Sequence, residues 1–315
     1  MSQIPSYSEI IEAHEKIKNL VTKTPVFTSS TLNELFGVDL YFKCENFQKT
    51  GSFKFRGASN AVMNIRDEEA KNGVGTHSSG NHGAALALAA KNRGSDAYIV
   101  MPKNSCPVKM KAVEQYNAHI TYCDPGLDSR EETYRQIEQL TQAKFIHPSG
   151  NRQVICGQGT ATKELIEEYP DLDAVIAPVG GGGLISGTSI AAKGINSDIR
   201  IYGAEPKMAD DAYRSFKQGF LIPVDRPNTI ADGLLTSLSP LTFKIINEYL
   251  DDILLAKEQT IIDAMRFIWE RMKIVAEPSA AVSLAAIMDN RFVLKSKKVG
   301  IILSGGNVDL SNLPF

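Results

Sequence analysis

Short apolar runs (DLYFKCE, DAYIVMP, DAVIAPV, RIYGAEP and KVGIILSG) alternate along this chain with helical stretches such as NHGAALALAAKN, SREETYRQIEQLTQA and TATKELIEEY. An unbroken apolar run suits a strand buried on both faces, and alternation with helices is the pattern of a parallel sheet covered by them. The expected class is therefore α/β. At 315 residues and 43% hydrophobic, the chain can bury a core for one large domain or two modest ones. Ahead of the alternation, Ser6 to Val21 reads as an amphipathic helix. Ser6 and Glu9 have capping-box spacing, and Ile10, His14, Ile17 and Val21 share a face. No fixed-period repeat or Pro/Ser-rich linker is present, so a domain boundary is expected within ordinary loops.

The formal charge of −2 offers no broad attraction for nucleic acid or anionic membranes, so a bound anion needs a local site. The opening MSQIPSYSEIIEAHEKIKNL lacks an apolar signal core, and no later stretch reaches membrane-spanning length. A cytoplasmic protein with a small-molecule ligand is expected. Cys44, Cys106, Cys123 and Cys156 are scattered without a CxxC pair, which suits reduced, mostly buried thiols.

The clearest local signal is AVIAPVGGGGLISGTSIAA, a strand running through Gly180, Gly181, Gly182 and Gly183 into a helix. Four successive glycines let backbone N–H groups converge on one anion without Cβ obstruction, and the helix adds its N-terminal partial charge. A tight turn alone needs only one or two glycines. The spacing matches neither the dinucleotide fingerprint nor the P-loop. In TGSFKFRGA, Lys54 stands between two aromatics; an apolar setting lowers an amine's pKa and favours imine formation, although such a lysine taken alone reads as a surface residue with a buried stem. A monophosphate cofactor with a carbonyl would unite lysine and loop. HSSGNHGAALALAA sets Ser78, Ser79, Gly80, Asn81 and His82 at the mouth of a helix, where N–H groups and hydroxyls suit a carboxylate; ordinary N-capping by Ser79 or Asn81 accounts for the segment equally well, and His82 could be a satisfied helix-start histidine. Ser304, in IILSGGNVDL, ends an apolar strand, where ligands of parallel sheets usually sit.

In this order, SFKFRGA, SSGNHG, the tetraglycine loop and LSGGN resemble the fold-type II pyridoxal phosphate enzymes, and most of all the serine racemase and serine/threonine dehydratase family. The resemblance spans nearly the whole chain and includes YFKCENFQKTGSFKFRGA, GQGT, GAEPKMADD, TIADG, WERMK and EPSAA. It implies a tryptophan synthase β-like fold of two domains, each with a mainly parallel open sheet covered by helices. Residues 1–72 and 149–315 would form the large cofactor-binding domain and residues 73–148 the small inserted one. Lys54 would form the Schiff base with pyridoxal 5'-phosphate, Phe53 and Asn81 would lie against the ring and its phenolic oxygen, Gly180 to Gly183 would hold the phosphate, and Ser304 would meet the pyridine nitrogen. A serine hydroxyl does not stabilise a full pyridinium, which favours prompt loss of a β-substituent over transamination. The substrate carboxylate would sit on Ser78, Asn81 and His82, with Arg130 and Thr236 nearby.

The activity so implied is dehydration and deamination of L-serine or L-threonine to a 2-oxo acid and ammonia, with Lys54 as the base at Cα. Racemase-like members use the second serine of SSGNH on the opposite ring face, here Ser79, which makes serine racemisation an expected companion. Hydroxyaspartate dehydratases carry that serine too, so threo-3-hydroxyaspartate stays open as the substrate. A β-replacement enzyme of the cysteine synthase type is a further alternative, disfavoured by His82 where those enzymes generally have threonine.

In GAEPKMADDAY, Glu205, the carbonyl of Ala209 and Asp211 are hard oxygen donors suited to magnesium, calcium or manganese, whereas spacing alone suggests only acids at a helix N-terminus. The resemblance favours a structural Mg2+ (or Ca2+ or Mn2+). It also implies a homodimer, and an effector nucleotide such as ATP at Lys49, Thr50 and Lys273. Thr236 replaces a serine common in the racemases, and HPSGNRQ departs from the usual segment before GQGT; both touch substrate preference. With the chain ending soon after Ser304, no appended regulatory domain is expected.

Overall fold

The computed structural model describes residues 3–78, 80–105, 107–294 and 297–315. Among the described residues, ten strands form two sheets. They are β1 (Val26–Phe27), β2 (Asp39–Cys44), β3 (Val74–His77), β4 (Ala97–Pro102), β5 (His119–Cys123), β6 (Lys144–Phe145), β7 (Ala174–Pro178), β8 (Arg200–Pro206), β9 (Asp252–Ala256) and β10 (Lys298–Leu303). The larger sheet has the order β1-β2-β10-β7-β8-β9 and the smaller β5-β4-β3-β6. Every pairing is parallel except β1 with β2.

The apolar runs work as two-sided strands. Along β7, Ala174 and Ile176 face one core, which they share with the helices Glu258–Phe267 and Pro278–Asp289. Val175 and Ala177 face another, with the helices Arg152–Glu168 and Gly183–Ile195. Period-two alternation thus puts Ala174 to Ala177 into one core or the other, and Pro178 ends the strand at the cavity. The smaller sheet buries Val74, Ile99 and Met101 against the helix Asn81–Arg93, and the helix Lys54–Met63 joins that core through Phe55, Ala58 and Val62.

The first helix runs Tyr7–Ile17 and has the expected Ser6–Glu9 capping box. It stops before Val21, although Val21 still packs in the core of the smaller sheet. The helix expected from Thr160 starts earlier, at Arg152, capped by Asn151, whose side chain accepts from the backbone N–H of Gln153 and of Val154. Cys44, Cys123 and Cys156 are buried free thiols; Cys106 lies outside the described residues. No helix is long and apolar enough to cross a membrane among the described residues.

Candidate active site

Parallel strands deliver their following loops to one edge. The segments after β3, β6, β7 and β10 meet around a cavity of about 750 Å³, which is lined among others by Lys54, Ser78, Asn81, Pro148, Gly180 to Gly183 and Ser304. Phe53, His82, Arg130 and Thr236 share its wall. Most of the expected site residues, drawn from across the chain, therefore surround one space. Ser79 lies outside the described residues.

Lys54 opens the helix Lys54–Met63, and its amine donates to the carbonyl oxygen of Pro148 at 2.9 Å, 5.1 Å from the centre of the Phe53 ring. Burial lowers its pKa to about 8, partly opposed by the negative field of Glu277. A lysine so placed keeps a sizeable share of neutral, nucleophilic amine near pH 7.

Across the cavity, β7 passes into the glycines and then the helix Gly183–Ile195. Gly182 has φ +81°, and a Cβ there would lie 2.7 Å from Leu238 Cδ2. At Gly181 a Cβ would meet Ser149 Oγ at 2.4 Å. No side chain fits at either position. The result is a bare backbone cradle at a helix start, of the kind that takes a phosphate.

Asn81 is the first residue of its helix, but its side chain does not cap it. Instead its Nδ2 donates to Glu277 Oε1 at 2.8 Å, and its Oδ1 accepts from Asn307 Nδ2 at 2.9 Å. His82 is buried, its Nε2 lying 3.2 Å from the carbonyl oxygen of Ile146. Only a protonated Nε2 can make that bond, which leaves Nδ1 without a proton. Burial, then the nearby Lys54 charge, pushes this imidazole down to about 3. A neutral ring with a bare Nδ1 offers a carboxylate nothing, so any part His82 takes there falls to its backbone N–H. His147 is likewise pushed down by burial, to about 4, and its Nδ1 accepts from the backbone N–H of Ser149 and Gly150. His77, also in the wall, is lowered by burial too; of Lys54, His82 and His147, Lys54 is the one poised to exchange a proton near neutral pH.

Ser304 directly follows β10 and is buried; its carbonyl oxygen accepts from the Phe53 backbone N–H at 3.0 Å, which joins the lysine segment to this strand end. Arg130 lines the opposite wall and spends its Nε on the carbonyl of Gly126.

Glu205 and Asp211 are both 1% exposed. Glu205 accepts from the backbone N–H of Ala212 and Tyr213, capping the helix Asp211–Gln218, while Asp211 Oδ2 has no partner. Burial raises both carboxyls, Asp211 to about 6. Among the described residues no cluster of three or more His, Cys, Asp or Glu is placed to hold a metal. Lys49, Thr50 and Lys273 stand apart from the cavity wall: Lys49 Nζ donates to the carbonyl of Leu20, the Thr50 carbonyl accepts from Asn307, and Lys273 Nζ donates to the carbonyl of Glu270.

Glu277 and Asn307 carry no expected role, although EPSAA and LSGGN, which contain them, stand among the motifs. Their signal was a buried partnership with Asn81, which no local spacing encodes.

Residues 17–305 match the family described as "Pyridoxal-phosphate dependent enzyme". The chain is 48% identical to the beta-hydroxyaspartate dehydratase of Paracoccus denitrificans (strain Pd 1222), over 99% of each chain. It is 53% identical to the serine racemase of Dictyostelium discoideum, over 97% of this chain and 95% of that one. The structure of maize serine racemase superposes with a TM-score of 0.96 at 44% identity, covering 98% of this chain and 95% of that one.

Proposed function

The chain belongs to the pyridoxal-phosphate dependent enzymes, and we propose that it converts small β-hydroxy amino acids, L-serine and L-threonine foremost, to the 2-oxo acid and ammonia by dehydration and hydrolysis, while racemising serine. The observation that carries this is the pairing, in one cavity, of a part-buried lysine whose pKa is lowered to about 8 with a buried serine, Ser304, at a strand end. The cavity fits the cofactor: a cradle where a Cβ at Gly181, Gly182 or Gly183 would lie within 2.9 Å of a neighbouring atom shares it with a lysine whose amine donates to a neutral carbonyl.

Bound pyridoxal phosphate supplies a carbonyl for Lys54 and a conjugated ring that withdraws electrons from the substrate Cα. Gly180 to Gly183 would hold its phosphate through backbone N–H groups, Phe53 would flank the ring, Asn81 would meet the phenolic oxygen, and the Ser304 hydroxyl would meet the ring nitrogen. Ser78, Asn81 and the His82 backbone orient the substrate carboxylate, with Arg130 and Thr236 across the cavity. The Lys54 amine, once free, would take the Cα proton, and its ammonium would return a proton to the departing β-hydroxyl, which would leave as water; hydrolysis of the released enamine would give the 2-oxo acid and ammonia. Ser79, which lies outside the described residues, is by the family resemblance the second proton-transfer group for racemisation.

A divalent cation, Mg2+ with Ca2+ or Mn2+ as alternatives, fits Glu205, Asp211 and the Ala209 carbonyl. Two adjoining buried carboxylates, one with an oxygen lacking a partner, match the charge and donor type of such an ion. An effector nucleotide such as ATP at Lys49, Thr50 and Lys273, a homodimer and a cytoplasmic location complete the proposal; the family resemblance supports them. The dehydratase from Paracoccus favours threo-3-hydroxyaspartate as a second substrate, and Arg130 in the cavity wall supplies a cation for its extra carboxylate.

Borohydride reduction followed by peptide mapping tests the cofactor attachment, and a pyridoxyl label away from Lys54 refutes it. Product analysis with L-serine, D-serine, L-threonine and threo-3-hydroxyaspartate, with and without magnesium and ATP, tests the reaction. Ser79→Ala should abolish racemisation and spare elimination.

A further inference from the structure

A charged cluster outside this chemistry crosses the cleft between the two sheets. Lys109 stands on the helix Pro107–Glu114, whose Val113 packs in the core of the smaller sheet beside Ile99. Its ammonium pairs with Asp232 and lies 3.9 Å from Glu277 Oε2. Both carboxylates belong to the other half. Asp232 opens the short turn Asp232–Leu234 in the cavity wall, and Glu277 is the N-cap of the helix Pro278–Asp289, which packs on the larger sheet. Lys109 is 7% exposed and Glu277 2%, so water screens little of the contact between them.

The loop assigned to the substrate carboxylate lies within this cluster. The Lys109 stem runs so close to Gly80 that a Cβ there would sit 3.0 Å from Lys109 Cδ. The next residue, Asn81, donates to the Glu277 carboxylate that the Lys109 ammonium faces. One side chain thus touches the loop with its stem and the loop's anchor with its charge.

We propose that Lys109 is a positioning residue that, by pairing with Asp232 and Glu277 across the cleft, clamps the loop carrying Gly80 and Asn81 in its carboxylate-binding form. This rests on the loop's proposed role in binding the substrate carboxylate. Separation of the two halves would part the ammonium from both carboxylates, so the pairing favours the form in which they meet, the closed form. A substrate that binds only the closed form then loses apparent affinity in proportion as that form is depopulated. Lys109 touches no reacting atom, so its loss falls on KM.

The test uses the holoenzyme with Lys109→Met, which keeps the stem without the charge, and with Asp232→Asn from the opposite side. Each should raise KM for L-serine by about tenfold with kcat within about twofold, and leave the visible absorption of the bound cofactor unchanged. Lys109→Arg should return KM to within about threefold of wild type, and the two neutralising substitutions should combine less than additively. Amide hydrogen exchange should quicken in the peptide bearing Gly80 and Asn81 but not in that bearing Gly180 to Gly183. Unchanged KM and exchange in Lys109→Met overturn the proposal, as does exchange that quickens equally in both peptides, the mark of general destabilisation. A wild type inert toward every hydroxy amino acid refutes the functional proposal instead, and the exchange comparison still decides the clamp.

Discussion

Glu277 Oε1 accepts a 2.8 Å hydrogen bond from the Asn81 side-chain amide, tying the first residue of one helix to the N-cap of another in the opposite half of the molecule. Because Asn81 Oδ1 is held by Asn307, the amide has one orientation, and its second N–H is left to point elsewhere. Glu277→Ala removes that hold, whereas Glu277→Gln keeps an oxygen for Asn81. Burial raises the Glu277 carboxyl to about 7 against the pull of Lys109, so it is partly ionised at neutral pH; losing its hydrogen bond costs about 1–3 kcal/mol, and kcat/KM should fall roughly fivefold or more in the alanine variant. The glutamine variant should fall less, and the cofactor absorption band should shift in the alanine variant alone. Steady-state kinetics and visible spectra check both.

The lowered pKa of Lys54 predicts how the cofactor-free enzyme reloads. The neutral amine is the reactive form, so loading should quicken with pH up to about 8 and then level off. A lysine with an ordinary pKa would keep gaining rate beyond pH 10. The sign for stability follows from proton counting: between about 8 and 10.5 the folded protein holds less proton on Lys54 than the unfolded chain. This group therefore adds stability as pH rises through that window. Loading rates followed by absorbance across pH 6.5–10 are decisive, and a rate still climbing above pH 9 contradicts the assignment.

Gly182→Ala should damage cofactor binding and folding together. Its φ of +81° strains any L side chain, and the new Cβ would meet Leu238 and Thr242 within 2.8 Å. Strain and overlap together cost about 2–4 kcal/mol, and cofactor affinity should drop at least tenfold. Gly37→Ala is the control, with φ +66° and nothing within 4 Å of the added Cβ. It should lower the melting temperature slightly and leave cofactor affinity intact. Cofactor titration and thermal melts separate the two.

Exhaustive chelation should lower the melting temperature by several degrees if a cation occupies Glu205 and Asp211, since ligand binding to the folded state adds its free energy to stability. Asp211→Asn should abolish the response to added magnesium. Identical melts and rates with chelator and with magnesium would remove the ion from this site.

Arg56, Glu45, Lys43 and Glu164 form a buried charge network beneath the lysine-bearing helix. Glu164 bonds Lys43 at 2.7 Å and Arg56 at 2.8 Å, with both cations fully buried. Glu164→Ala leaves Lys43 without its carboxylate and Arg56 with Glu45 alone, and should cost about 3–5 kcal/mol. Glu164→Leu combined with Lys43→Met should recover part of that loss. Denaturant unfolding of both variants measures it.

The strands were legible because a strand buried on both faces must be apolar throughout, as DAVIAPV is before it becomes β7. The first eight residues of the helix Arg152–Glu168 were not. Gly157 and Gly159 weaken helix propensity there, yet a Cβ at Gly157 would lie 2.6 Å from the Arg56 carbonyl oxygen, and one at Gly159 would lie 2.7 Å from that of Gly187. These glycines serve close backbone packing, which a propensity reading counts only as a cost. Similarly, Asn81 read equally well as a cap, and its actual partners, Glu277 and Asn307, lie 196 and 226 residues away.

By itself, then, the sequence determined the alternating α/β plan, the phosphate-ready glycine run and the order of motifs that places the chain among pyridoxal phosphate enzymes. These are properties of local spacing and side-chain type. The tertiary structure alone decided that the pKa of Lys54 is lowered to about 8, that His82 and His147 are neutral, and that Lys109 reaches across the cleft to Asp232 and Glu277. Proton affinity and ion pairing depend on what surrounds a group in space, and folding assembles those surroundings from segments remote in the chain.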